Sequence, residues 1–270
     1  MTAELLDIIA ANGLLQGLPL LVLALLRPFG LMFGFLPFYW AFGPDAMIRT
    51  SIALTIGLPT LAASATEIDQ LITQGGFAQM AIIAPKEVAL GLLLGFFLSL
   101  PFWALRYAGA IIATYKGEAD GGFETPQDGT ITSIERLFEV IAIAAFVYAG
   151  GFWLTVTTLY STYDIWPLTS AMPSIDPMAT TILFDALNAT LMITVQTALP
   201  LLIILFLVDF VLSIGARMAR RYQLGDMAFL LKNLTVLLLL PVIVYMVWRI
   251  NTDIDAASVA GFDILRAMLQ

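Results

Sequence analysis

Apolar positions gather into six long runs: Leu14 to Phe42, Ala46 to Ala65, Val88 to Thr114, Leu137 to Tyr160, Met178 to Ala216 and Ala228 to Ile250. Each reaches the ~20 residues that a helix needs to cross a hydrocarbon core, so the pattern predicts helices of membrane type. Polar connectors separate them at Thr66 to Glu87, Tyr115 to Arg136, Ser161 to Pro177 and Arg217 to Met227, with a polar tail from Asn251 to Gln270. No repeat, low-complexity tract or linker interrupts the order, and a single helical domain over residues 1–270 is expected. The fifth run, at roughly 39 residues, would be about 58 Å long as one helix, nearly twice the hydrocarbon thickness. It must either extend well outside a bilayer or fold back near Pro200.

These runs differ from ordinary lipid-facing spans in two respects. Proline interrupts five of the six, at Pro19, Pro28 and Pro37, then Pro59, Pro101, Pro200 and Pro241. Each proline removes a backbone donor and frees a carbonyl that must find protein or water, which predicts bent, proline-broken helices packed on other protein. Charges also lie within or at the ends of the runs, at Arg27, Arg106, Asp185, Asp209 and Lys232. An embedded charge costs about 2.5–3.5 kcal/mol on insertion scales and therefore faces a partner or a wet cavity. Arg106 and Lys232 could instead snorkel to an interface. Arg27, in mid-run, lacks that escape.

Short cytoplasmic connectors are enriched in Lys and Arg. With the N-terminus outside, the inside set holds Arg49, Lys116, Arg136, Arg217, Arg220, Arg221 and Lys232, against Lys86, Arg249 and Arg266 outside. The bias predicts both termini outside. Met1 to Ala10 carries Glu4 and Asp7 without Lys or Arg, so it lacks the positive start of a secretory signal and reads as part of the mature protein.

Composition sharpens the class. Apolar residues make up 60% of the chain and charged residues 12%, with mean hydropathy +0.93, against about 45–50% and about 25% in soluble domains. The formal charge is −8 and the pI about 4.4, which leaves no basic footprint for nucleic acid. The chain has no cysteine and no histidine, so thiol or imidazole metal sites, disulfides and Ser-His or Cys-His nucleophile pairs have no side chains to use. No cofactor, metal ion or catalytic residue is expected, and nothing resembles a P-loop.

The most polar stretch runs from Lys116 to Gly129, with carboxylates at Glu118, Asp120, Glu124 and Asp128. A calcium loop starting at Asp120 would need glycine at 125 and glutamate at 131, where Thr125 and Ile131 stand. Gly117, Gly121, Gly122 and Gly129 make the segment permissive, which suits either a plain solvated loop or one that changes shape. Tyr163-Asp164 and Gly225-Asp226 echo an intramembrane aspartyl protease, but Gln223 replaces the glycine of the second motif and both aspartates lie in connectors. Gly91 and Gly95 form a G-x-x-x-G face that lets helix backbones approach, within the chain or between chains.

Lys86-Glu87-Val88-Ala89-Leu90-Gly91-Leu92-Leu93-Leu94-Gly95-Phe96, then Leu100-Pro101-Phe102-Trp103-Ala104 and Gly109, resembles the T subunit of the type III secretion export apparatus, the SctT, YscT, HrcT or SpaR family. Asp209-Phe210-Val211-Leu212 leading to Arg217, Ala219, Leu231 and Lys232 is similar to a second block of that family, as is Arg27-Pro28 before Leu36-Pro37-Phe38. Pro101-Phe102-Trp103-Ala104 favours the injectisome branch over the flagellar relative FliR. Departures occur where the family reads Asp-x-Gln-Arg-Gly and this chain has Ala113, Tyr115, Lys116 and Gly117, and at Thr132 to Glu135 and Arg220 to Gln223.

The resemblance implies an all-α, non-catalytic subunit of a hetero-oligomeric helical pore in the bacterial inner membrane, part of it projecting to the periplasmic side. Its expected partners are the R and S subunits, the U subunit (the switch autoprotease), the inner-rod or needle protein, lipid, and unfolded secreted proteins in transit; nucleic acid is not among them. The loop residues Lys116, Gly117, Glu118, Asp120, Gly121, Gly122, Phe123 and Glu124 correspond to a pore-facing plug, with Phe123 an apolar contact in the closed state. Arg27, Arg106, Asp185, Asp209, Arg217 and Lys232 are expected at subunit interfaces or as buried charges, and Gly91, Gly95 and Pro101 in helix packing. The alternatives are a self-contained secondary transporter using Arg27, Asp185 and Asp209, and an aspartyl protease using Asp164 and Asp226.

Overall fold

A computed structural model describes residues 14–38, 45–117, 123–125, 129–168, 179–218 and 228–269. The helices are α1 (Leu14–Gly34), α2 (Ala46–Lys116), α3 (Ser133–Tyr148), α4 (Gly151–Ile165), α5 (Ala179–Met218) and α6 (Ala228–Leu269). The all-helical expectation holds, with one local departure: β1 (Phe123–Thr125) and β2 (Gly129–Ile131) pair antiparallel, placing Phe123 opposite Ile131.

Helix boundaries follow capping chemistry more closely than hydropathy. The connector Thr66 to Glu87 has helical backbone, so α2 spans the second and third apolar runs although its two arms take opposite directions along α1; the tail from Asn251 continues α6. Polar residues alone do not end a helix when good helix formers surround them. Pro200 and Pro241 are carried inside α5 and α6, so the fifth run does not fold back. The first run breaks at Phe35, two residues before Pro37, and there the Ser99 hydroxyl accepts from the Leu36 N–H at 2.8 Å and bonds the Gly95 carbonyl at 2.7 Å. The fourth run breaks at Gly150, whose φ of +79° lies in the left-handed region that favours glycine.

The chain forms two compact units, each from discontinuous segments. Unit 1 holds residues 1–99, 150–184 and 256–270; unit 2 holds 100–149 and 185–255.

In unit 1, α1 packs against both described ends of the α2 portion. Thr60 bonds the Ala24 carbonyl, whereas Gly91 and Gly95 meet Gly30 and Gly34. Residues 49–60 thus run antiparallel to α1 and residues 87–99 parallel to it, so the chain reverses direction between them. A β-carbon on Gly91 would strike the Arg27 carbonyl and lie 2.9 Å from the Gly30 Cα. The G-x-x-x-G face is therefore an intramolecular seam, meeting a second such pair, Gly30 and Gly34, on α1. Leu23, Ala24, Ile83 and Leu168 form a buried cluster beside it.

In unit 2, Phe102, Leu105 and Ile112 of α2 and Phe138 and Ala142 of α3 are buried, and Phe102 lies edge-on to Phe146 of α3 at 5.3 Å. Gly109 brings α2 against the start of α3, where an added β-carbon would lie 3.0 Å from the Glu135 Cα.

Candidate functional site

The loop after α2 is built from three local decisions. Gly117 ends α2: its N–H bonds the Ala113 and Thr114 carbonyls, both at 3.1 Å, with φ +92°. Next, Thr125-Pro126-Gln127-Asp128-Gly129 places turn residues between two short β-compatible triplets, and β1 and β2 pair across it. Finally, Ile131 is buried and Thr132 caps α3, its side chain accepting from the Glu135 N–H at 3.3 Å. Thr132→Ala is expected to cost about 1 kcal/mol and to accelerate amide exchange first at Glu135.

Of the expected loop residues, Lys116 is buried with its ammonium 5.7 Å from the Phe229 ring centre, and no atom of the described residues would lie within 4 Å of a β-carbon on Gly117. Phe123 and Glu124 form β1. Glu118, Asp120, Gly121 and Gly122 lie outside the described residues.

Arg27 is fully buried in unit 1. Its Nε and Nη2 reach the two Glu87 carboxylate oxygens at 2.7 and 3.1 Å, Nη1 donates to Thr162 Oγ1 at 3.0 Å, and Nη2 also donates to the Trp166 carbonyl at 2.9 Å. The guanidinium lies 4.0 Å from the Tyr163 ring centre. Lys86 shares Glu87 at 2.9 Å and donates to the Pro167 and Leu168 carbonyls at 3.2 and 3.3 Å. Two cations thus share one carboxylate, and both also donate to carbonyls just beyond α4, at the negative end of that helix.

Unit 2 holds two further charged groups. Arg106 Nε and Arg136 Nη1 approach opposite oxygens of buried Glu139 at 3.4 and 2.9 Å. Lys232 Nζ pairs with Asp209 Oδ2 at 2.9 Å and donates to the Tyr115 carbonyl at 3.3 Å. Asp185 and Arg217 are exposed, and Pro101 is half-buried within α2. Asp164, one of the protease candidates, is exposed near the end of α4, and Asp226 lies outside the described residues.

Sequence reading named the embedded cations but not their carboxylate partners, Glu87 and Glu139. Glu139 stands inside the fourth apolar run, and that placement was the available signal. Gly30 and Gly34 repeat the spacing of Gly91 and Gly95 and were equally visible. Among the described residues no group of three His, Cys, Asp or Glu side chains is placed to hold a metal ion.

Among the described residues three helical segments are long and apolar enough to cross a membrane, Ala81–Lys116, Phe184–Met218 and Ala228–Arg249, or four if α3 and α4 count as one bent span. Over their most apolar windows the first is 56% buried inside the chain, the other two only 17%. A multi-pass helical membrane protein with buried charge pairs and a short β ribbon is the class these features define.

The chain matches the family described as bacterial export proteins, family 1, over residues 18–254, and belongs to it. It is 30% identical over 197 residues to the Yop proteins translocation protein T of Yersinia pestis, covering 73% of this chain and 74% of that one. The surface presentation of antigens protein SpaR of Shigella flexneri is 27% identical over 205 residues, covering 75% and 77%. The secretion system apparatus protein SsaT of Salmonella typhimurium is 23% identical over 205 residues, covering 72% and 75%. The family expected from the third and fifth apolar runs is the family found, and the expected location in the bacterial inner membrane, crossed more than once, accords with it.

Proposed function

We propose that this chain is a non-catalytic T subunit of a type III secretion export gate, forming part of the inner-membrane pore for unfolded proteins, with the loop from Lys116 to Glu124 as its plug. The observation that carries the reading is the open apolar surface of α5 and α6. Phe184–Met218 is 35 residues long, about 52 Å of helix at 1.5 Å per residue against a hydrocarbon core of about 30 Å. Phe206, Leu207, Phe210, Val211 and Ile214 are all exposed along its second half. Lipid covers only part of such a length, so the rest calls for other protein subunits. R and S subunits fit as neighbours, with the U subunit and the inner-rod or needle protein at the ends of the conduit and part of the complex on the periplasmic side.

A plug needs an anchored root and a hinge, and Lys116 with Gly117 supplies both. A small-molecule transporter is less well supported, because Arg27 and Asp209, which a polar binding site would need, are engaged by Glu87 and Lys232. Co-expression with R-like and S-like subunits, mild detergent extraction and native mass measurement is the test of membership. A hetero-oligomer containing this chain is expected; a chain that stays monomeric in their presence contradicts the proposal.

A further inference from the structure

The last turn of α2 leaves carbonyls without partners inside the helix, as every helix does. Gly117 occupies those of Ala113 and Thr114, and Lys232 of α6 takes that of Tyr115. The ammonium also lies 5.0 Å from the Tyr115 ring centre, and Asp209 of α5 holds it at 2.9 Å. A second contact runs between the same elements, Lys116 of α2 over the Phe229 ring of α6. All these residues belong to unit 2. Immediately beyond them stands Gly117, with positive φ and, among the described residues, nothing within 4 Å of where a β-carbon would be.

We infer that Lys232 and Asp209 are positioning residues for the loop, clamping the C-terminal turn of α2 so that the Gly117 hinge and the β1–β2 ribbon beyond it are held in place. A cation at a helix C-terminus stabilises the negative end of the helix dipole, and it does so over the turn that would otherwise fray into the hinge. Asp209 aims the flexible lysine and offsets its desolvation. The side chains of Lys232 and Asp209 are 14% and 33% exposed, and an ion pair so placed is modest in strength. That suits a contact that must release and reform. Relative movement of α5 and α6 would separate Asp209 from Lys232 and free the root of the loop, making the clamp a route by which neighbouring subunits govern it. This gating meaning rests on the plug reading above; the clamp itself does not.

The chain contains no cysteine, so a single Thr125→Cys substitution gives a thiol reporter for the ribbon, and Ala149→Cys, at an exposed turn, a control. In the assembled complex, labelling of this chain by a membrane-impermeant maleimide is followed by mass. Lys232→Met, which keeps the apolar stem, and Asp209→Asn are each expected to raise the labelling rate at position 125 about five-fold, as loss of a modest contact permits, and to leave position 149 unchanged. Lys232→Arg is expected to restore the wild-type rate. Unchanged labelling at 125 in both variants overturns the clamp, as does an equal rise at 125 and 149, which would mean general loosening. Failure of both variants to assemble also overturns it, assigning the pair to assembly. Ion leak measured on the same samples separates the two ideas: faster labelling with no extra leak keeps the clamp and sinks the plug.

Discussion

Glu87→Ala is expected to remove most of the folded chain from the membrane. The substitution removes the carboxylate that Arg27 and Lys86 share and leaves buried Arg27, among the described residues, with a backbone carbonyl, a hydroxyl and an aromatic ring. Breaking a buried pair from one side costs about 3–5 kcal/mol, a large part of the about 5–15 kcal/mol that holds a typical domain. The loss should appear as a steep fall in detergent-extractable chain and in its thermal midpoint. Glu87→Gln, which still accepts hydrogen bonds, should fall between. An Arg27→Met, Glu87→Met pair should recover only part of the loss, because Lys86 then loses the Glu87 carboxylate and the Trp166 carbonyl loses the Arg27 guanidinium. Wild-type yield for Glu87→Ala would show that the cluster does not hold unit 1 together.

Gly91→Val is expected to be the second severe change, for a steric reason. The three nearest atoms its β-carbon would meet are all backbone: the Arg27 carbonyl oxygen, the Leu31 nitrogen at 2.7 Å and the Gly30 Cα at 2.9 Å. Backbone has no rotamer into which to retreat, so α1 and α2 must part, and overpacking of this kind costs about 1–3 kcal/mol or more. Parting the helices also stretches Arg27 from Glu87, one turn away on α2. The Gly91→Val and Glu87→Ala losses should therefore be less than additive when combined. Leu93→Val, on the exposed side of the same turn, should change the thermal midpoint little. Equal effects at 91 and 93 would count against the seam.

Much of this was legible in the chain. Hydropathy located the apolar segments because it reports the medium around a residue, lipid or protein against water. It misplaced the helix end at Asn251, where α6 continues, and at Thr66 it marked a connector whose backbone is helical even though the chain turns back there, because polarity alone does not end a helix. Arg27 announced a buried partner, but Glu87 lies 60 positions away, and only the parallel packing of α1 on α2 brings the two together. The G-x-x-x-G face was equally suited to a partner chain until Gly30 and Gly34 were seen against it. In the loop, the Pro-Gln-Asp-Gly turn signal was present but was overshadowed by the run of glycines and carboxylates around it. Lys232 read as a snorkelling or interfacial charge; its bond to the Tyr115 carbonyl spans 117 positions and has no local signature.

If the loop after α2 closes a protein-conducting pore, as proposed, ion conductance across membranes containing the assembled complex should depend on residues Gly117 to Glu124. Deleting them is expected to leave assembly intact and to raise the leak. An intact complex with an unchanged leak would contradict it.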